Sequence, residues 1–233
     1  MDDLTIVYYT ANRAKPALMK AVIDNLRVAA GDSPIVSVSH EPMNLGRNLC
    51  VGPRRQHVWN IYSQMLLGAR AAKTYYVAAA EDDILYSYEH FNTYCPMDTP
   101  FLYDTNRWLL FTYKEPMFSR KDRIITGMLI AERKYLIEAL EERLEKYPTP
   151  ESIDINVFGE IGRNEKELGV TVREVERFRA PAPSIMLNHE DSITYAHMGK
   201  HKASGITPTR WLAPWGSAVG VMGLCTEQGD ATQ

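Results

Sequence analysis

Only three cysteines, Cys50, Cys95 and Cys225, occur in the 233 residues, and no two form a C-x-x-C pair. That scarcity excludes a cysteine-bound zinc cage and a disulfide framework, and it fits a reducing, cytoplasmic setting. Long apolar runs are missing as well. No segment approaches the roughly 18 to 20 residues of a membrane span, and Met1-Asp2-Asp3-Leu4 carries no basic leader, so a soluble protein without a membrane span is expected. Excess charge of one sign is also absent. A net charge of −3 offers no field to gather a polyanion, although small basic groups stand at Arg54-Arg55, Arg120 to Arg123 and Lys200 to Lys202. Neither G-x-G-x-x-G nor G-x-x-x-x-G-K-[ST] follows the first apolar run, which argues against a dinucleotide oxidoreductase and a P-loop NTPase. With no internal repeat and no Pro/Gly linker, one domain over 1–215 and a partly flexible tail over 216–233 is the simplest division.

What is present is ordinary globular composition, 45% hydrophobic and 24% charged, in an alternating order of strands and helices. Thr5 to Tyr9 reads as a strand. Pro16 then opens a helix with Met19, Val22, Ile23, Leu26 and Ala30 on one face and Gly31 as its stop. Ile35 to Ser39 alternates as a second strand, followed by a loop through Met43 to Asn48. Val58, Ile61, Tyr62, Met65, Ala69 and Ala72 recur at helical spacing before a strand from Tyr75. Further strands are expected over Trp108 to Tyr113, Ile124 to Ile130, Val170 to Val175 and Ser184 to Leu187, with helices over Glu132 to Lys146 and after Thr149-Pro150. The β-α-β-α-β opening predicts a parallel sheet whose strand C-termini share one edge, where ligands of open α/β sheets bind.

The most informative stretch is Tyr75 to Tyr86, an apolar run that ends in Glu81-Asp82-Asp83. Three carboxylates at one strand tip repel each other, and such a cluster persists where a divalent cation sits between acids and phosphate. A plain polar loop after a strand is the competing explanation. Trp211 and Trp215, in a Pro-rich irregular segment, suit a stacking platform for a sugar, whereas Trp108 reads as core.

With this opening unit, the acidic strand end and the late His197-Met198-Gly199, the sequence resembles GT-A fold glycosyltransferases of the family-2 type. The resemblance implies an α/β, GT-A-like single domain with a Rossmann-like nucleotide-binding half and a mixed central sheet. It implies a nucleotide-sugar donor, in particular a UDP sugar, lying against Thr10, Asn12 and Arg13, with Gly46 in the loop that leads to the covering helix. Glu81-Asp82-Asp83 would be the DxD motif, Asp82 beside the donor and Asp83 ligating Mn2+ or Mg2+, with His197 as a further metal ligand. Glu81 departs from the usual Asp. The general base would be Asp154, with Glu151 and Glu160 as alternatives, because the family's usual Glu-Asp pair is missing. The acceptor stays open among a glycan, a small molecule and a modified DNA base. A sugar-phosphate nucleotidylyltransferase is disfavoured by the Gly-free Thr10 to Lys15 loop, and a non-catalytic nucleotide or carbohydrate binder of the same fold is the remaining alternative.

Overall fold

In the computed structural model the described residues are 3–93, 98–120, 122–153, 159–192 and 206–225. Strand β1 (Leu4–Thr10) is buried along its whole length, and helix α1 (Pro16–Ala30) follows with Pro in its first turn. Next come β2 (Ile35–Ser39), β3 (Arg47–Cys50), α2 (Val58–Ala71) and β4 (Tyr76–Glu81). The chain continues through β5 (Ile84–Leu85), α3 (Tyr88–Asn92), β6 (Phe101–Asp104), β7 (Arg107–Phe111) and β8 (Phe118–Arg120). A 3-10 turn over Thr126–Met128 leads into β9 (Leu129–Glu132), α4 (Arg133–Lys146) and a second 3-10 turn over Pro150–Ser152. The described remainder holds α5 (Glu165–Leu168), β10 (Glu176–Phe178), β11 (Ser184–Asn188), β12 (Ile206–Thr209), β13 (Trp211–Leu212), β14 (Gly216–Ser217) and α6 (Ala218–Leu224).

The fold is mixed α/β around a central seven-stranded sheet of order β10-β6-β9-β4-β1-β2-β3, in which β9 alone runs against its neighbours. Both faces of this sheet are covered, which explains why β1 and β4 read as unbroken apolar runs. On one face Ile6, Tyr8, Ala78 and Ala80 join α1, α6 and the second sheet in one core. On the other, Val7, Tyr9, Val77 and Ala79 meet α2 and α4. The second sheet, of order β12-β8-β7-β11-β5, receives its strands from the first. β6 passes to β7 and β10 to β11 across short turns, with β6 parallel to β10 in the first sheet and β7 parallel to β11 in the second. Asp104 pins the two turns together by accepting from the backbone N of Asn106 and of Ala180.

Several expectations shift in detail. β3 forms where a loop was read, and β6 and β8 lie in segments given no strand. Residues 171–175 are irregular and β10 begins only at Glu176, so the strand expected over Val170 to Val175 is displaced. The 3-10 turn takes the first half of the strand expected at Ile124 to Ile130, because Gly127 must pass close to Glu81. Arg143 is no solvated charge of α4. It is buried and bonded to Glu165 at 3.0 Å. Ala218 and Val221 of α6 are buried in the first core, within the segment read as a tail. Among the described residues, no helix is long and apolar enough to cross a membrane.

Helix α2 approaches β1 so closely that a Cβ at Gly68 would stand 2.2 Å from Val7 Cγ1. Gly68→Ala is expected to destabilise the fold by roughly 1–3 kcal/mol. Gly223→Ala, at a helical position with nothing within 4 Å of the added carbon, is expected to be neutral or to stabilise by up to ~1 kcal/mol. Denaturant melts of both variants check the contrast; equal losses would mean that α2 is not held against β1 at this distance.

Candidate active site

The C-terminal edge of the central sheet gathers the polar groups. β1 ends at Thr10, β2 at Ser39 and β4 at Glu81, and the two-residue turn Asp82-Asp83 then carries the chain into β5 of the second sheet. Each acid is held by a different neighbour. Tyr9 Oη donates to Glu81 Oε1 at 2.9 Å, and Thr10 Oγ1 donates to Asp82 Oδ2 at 2.5 Å. The carbonyl of Asp83 accepts from Leu187 N at 2.6 Å, which fastens the acidic turn to β11. Tyr86 closes the arrangement: its hydroxyl accepts from Glu81 N and donates to Gly127 O. A Cβ on Gly127 would stand 2.8 Å from Glu81 Oε2, so glycine is required where the backbone passes the carboxylate.

The loop after β1 is equally fixed. Asn12 takes a left-handed φ of 55°, which Asn tolerates better than most residues. Its N donates to Thr10 Oγ1, and its side-chain oxygen accepts from His40 N and Glu41 N, clamping the ends of β1 and β2 together. From α2, Gln64 Nε2 donates to both Thr10 O and Val38 O. Arg13 is exposed beside His40, whose pKa is lowered by burial and then by Arg54 and Arg13. Arg13 and Arg54 therefore stand near His40, just past the end of β2.

Burial dominates the electrostatics of the acids. It lifts the Glu81 carboxyl to about 7, against the pull of the Tyr9 hydrogen bond and with the help of Asp82 and Glu160. Asp82 is raised by the same desolvation, opposed by Thr10 and His189. Asp83 is raised well above the usual carboxylate range by burial, then by Glu81 and Asp82. Arg107, nearly buried at the start of β7, is lowered to about 10 by desolvation, although Glu81 and Asp83 favour its charge. The cluster is thus short of positive charge.

Of the residues read from sequence, Thr10, Asn12, Arg13, Asp82 and Asp83 come together at this edge. Gly46 does not. It precedes β3, whose first residue pairs with Val36 near the opposite end of β2, and a Cβ there would stand 2.1 Å from Ile35 O. Its φ of 56° and that close approach explain the glycine without a ligand. Asp154 and His197 lie outside the described residues. Glu151 is exposed and 3.6 Å from Arg55, whereas Glu160 is buried, pairs with Arg163 at 3.1 Å and lies within electrostatic reach of Glu81. Trp215 donates to Pro183 O and packs on the core, while Trp211 is 63% exposed.

Two residues without an assigned role from sequence belong to the site. His189 follows β11 immediately, is buried, and feels Asp82 and Asp191. Its signal was present: like the acids, it stands directly after an apolar strand run. Arg107 precedes the run from Trp108 and gave no such signal.

Two buried ligand atoms at and after the strand ends bear on whether a divalent cation fits. Asp83 Oδ1 and His189 Nδ1 are both buried and have no hydrogen-bond partner among the described residues. No group of three or more His, Cys, Asp or Glu arranged to hold a metal occurs among the described residues. Mg2+ and similar ions use one or two carboxylates and complete their shell with water and substrate phosphates, so a full protein cage is not required.

No protein-family model matches the sequence, and no curated protein matches it. Solved structures give distant likenesses. Bifunctional IspDF from Campylobacter jejuni is 10% identical with a TM-score of 0.46, over 82% of this chain and 53% of that one, so the present chain spans about half its length. A Drosophila β-1,4-galactosyltransferase 7 variant in complex with manganese, UDP-Gal and xylobiose is 10% identical at a TM-score of 0.43, over 87% and 82%. The inositol-1-phosphate CTP transferase of T. maritima is 14% identical at 0.46, over 88% and 98%. The chemistry is therefore argued from the residues themselves.

A buried carboxylate with one orphaned oxygen and two acidic neighbours destabilises the fold that carries it. Asp83→Asn is expected to stabilise the metal-free protein by roughly 1–2 kcal/mol, or about 2–8 °C in Tm. A thermal melt in EDTA measures this. A clear loss of stability would assign Asp83 a structural role instead.

Proposed function

We propose that the protein is a metal-dependent glycosyltransferase that moves a sugar from a nucleoside-diphosphate sugar, in particular a UDP sugar, to an acceptor hydroxyl. The observation that supports this most is the buried, unpartnered Asp83 Oδ1 at the end of a central parallel strand, beside the clamped Thr10 to Arg13 loop. That loop offers the nucleotide a rigid edge, and Arg13 and Arg54 supply positive charge for its phosphates.

When bound, Mn2+ or Mg2+ would supply Lewis-acid stabilisation of the departing diphosphate. Asp83 would hold it, with His189 and, in the sequence-based assignment, His197 as further donors. Asp82, held by Thr10, is left to orient the donor, and the rigid turn fixes both carboxylates relative to the sheet. In the transfer itself the acceptor oxygen forms a bond to the anomeric carbon as the bond from that carbon to the diphosphate oxygen breaks. The acceptor proton must go to a base. Asp154 is assigned that task, and Glu160, buried on the Glu81 side of the sheet edge, is the alternative.

Calorimetric titration with UDP, GDP and dTDP, in Mn2+ and again in EDTA, tests the donor half. Binding of one nucleotide that needs the metal is expected, with affinity reduced about tenfold or more in Asp83→Ala; binding that ignores both EDTA and Asp83→Ala would overturn the assignment. Replacing His189 or His197 by Ala tests the metal shell. The residue that ligates should shift the Mn2+ titration by about tenfold or more, and a titration unchanged in both variants would leave the cation to the carboxylates. For the acceptor half, Asp154→Asn should retain nucleotide affinity and slow transfer by roughly 100-fold or more. Normal turnover in that variant would move the base to Glu160.

A further inference from the structure

A cleft of about 360 Å3 is lined by Asp122, Arg123, Ile124, Gly162, Arg163 and Arg177. Three arginines from three separate chain segments line it. Arg177 lies on the edge strand β10, and the pleat puts it on the same face as Val175, opposite Phe178. Arg123 follows β8, and Arg163 sits in the turn before α5. Among the described residues, Arg123 and Arg177 have no acidic partner, while Arg163 holds Glu160. Asp122, the one acid among the described lining residues, stands 3.9 Å from Arg120.

The cleft adjoins the candidate active site through two connections. Ile124 forms its apolar wall and leads within two residues into the Thr126–Met128 turn, where Gly127 touches Glu81. Glu160, the partner of Arg163, lies within electrostatic reach of Glu81, and Arg123 lies within reach of Arg107. A ligand held by the arginines could therefore extend a hydroxyl toward the acids from the side that the donor leaves open.

We propose that this cleft binds a phosphate group carried by the acceptor, so that the substrate class is a phosphorylated alcohol, either a phosphomonoester or one residue of a phosphodiester polymer. The guanidinium fork matches phosphate geometry, and paired arginines from different segments fix its orientation as well as its charge. The size suits a ligand of sugar-phosphate dimensions, and the open mouth admits a longer chain. This inference rests on the glycosyltransferase reading for the word acceptor, but the site itself does not.

The test uses the full chain with UDP and Mn2+ present, titrated with phenyl phosphate as a monoester and with a short single-stranded oligonucleotide as a diester. At least one probe is expected to bind, and Arg123→Ala/Arg177→Ala should reduce its affinity about tenfold or more, with the corresponding Lys pair keeping part of it. The probe that binds identifies the source of the phosphate. Both arginines are exposed, so the double variant is expected to fold, and its thermal melt verifies this. Failure of both probes, or equal affinity in the Ala pair, overturns the proposal. So does a fall in UDP affinity in the Ala pair with probe binding unchanged, which would give the cleft to the donor diphosphate. Arginine-dependent probe binding without any nucleotide binding would support the cleft and remove the glycosyltransferase reading, so the two failures are distinct.

Discussion

Negative charge confined at the end of β4 is the constraint on which the rest of the molecule depends. Two carboxylates about 5 Å apart repel by about 3 kcal/mol at an effective dielectric of 20, and three compound the cost. Among the described residues, no salt bridge relieves this. Arg107 is the near cation, and its guanidinium donates to the sulfur of Met186. The acids are instead fixed by neutral donors: Tyr9 on Glu81, Thr10 on Asp82, and the backbone N of Leu187 on the Asp83 carbonyl. Neutral donors restrain geometry without cancelling charge.

The sheet explains why so many weakly polar contacts suffice. β4 is central, flanked by β1 and β9, and its Ala78-Ala79-Ala80 run is thin enough for packed layers to approach on both faces. Crossing from the first sheet to the second at Asp82-Asp83 brings β5 against β11, and that pairing delivers His189 to the acids. The β6 to β7 and β10 to β11 turns tie the sheets again farther out, through Asp104, Asn106 and Ala180. The buried pair of His90 and Asp104, 3.0 Å apart and enclosed by Tyr86, Phe91 and Phe178, belongs to this scaffold. It joins the Tyr86 hub to the outer turns.

The opening β-α-β-α-β and the acidic tip were legible in the sequence because each rests on local signals: apolar periodicity, a helix-opening Pro16, and an abrupt change from apolar to acidic. What was not legible depended on partners far along the chain. β3 and β6 are short and become strands by pairing with β2 and β9, and nothing in Arg47-Asn48-Leu49-Cys50 announces that. Gly46 carried a turn signal correctly, but the direction of the loop after β2 decides which edge it reaches, and direction is a tertiary property. Asn60 and Gln64 fall outside the apolar spacing read for α2, yet both are buried, and Gln64 donates to two strand-end carbonyls. His189 could have been ranked above the other late histidines by the rule that singled out the acids, since it too ends an apolar strand run.

Charged side chains form three groups around the central sheet, although the sequence scatters them. Arg13 and Arg54 lie toward β1 and β2, the acids sit at β4, and Arg123, Arg163 and Arg177 lie toward β6 and β10. A chain of net charge −3 gives no long-range attraction for anions, so selectivity must come from these local groups at distances within the Debye length of about 8–10 Å. An uncharged hydroxyl can approach the acids freely. On the reading proposed above, this order of basic, acidic and basic groups would keep two anionic ligands apart while allowing the neutral ends of both to meet.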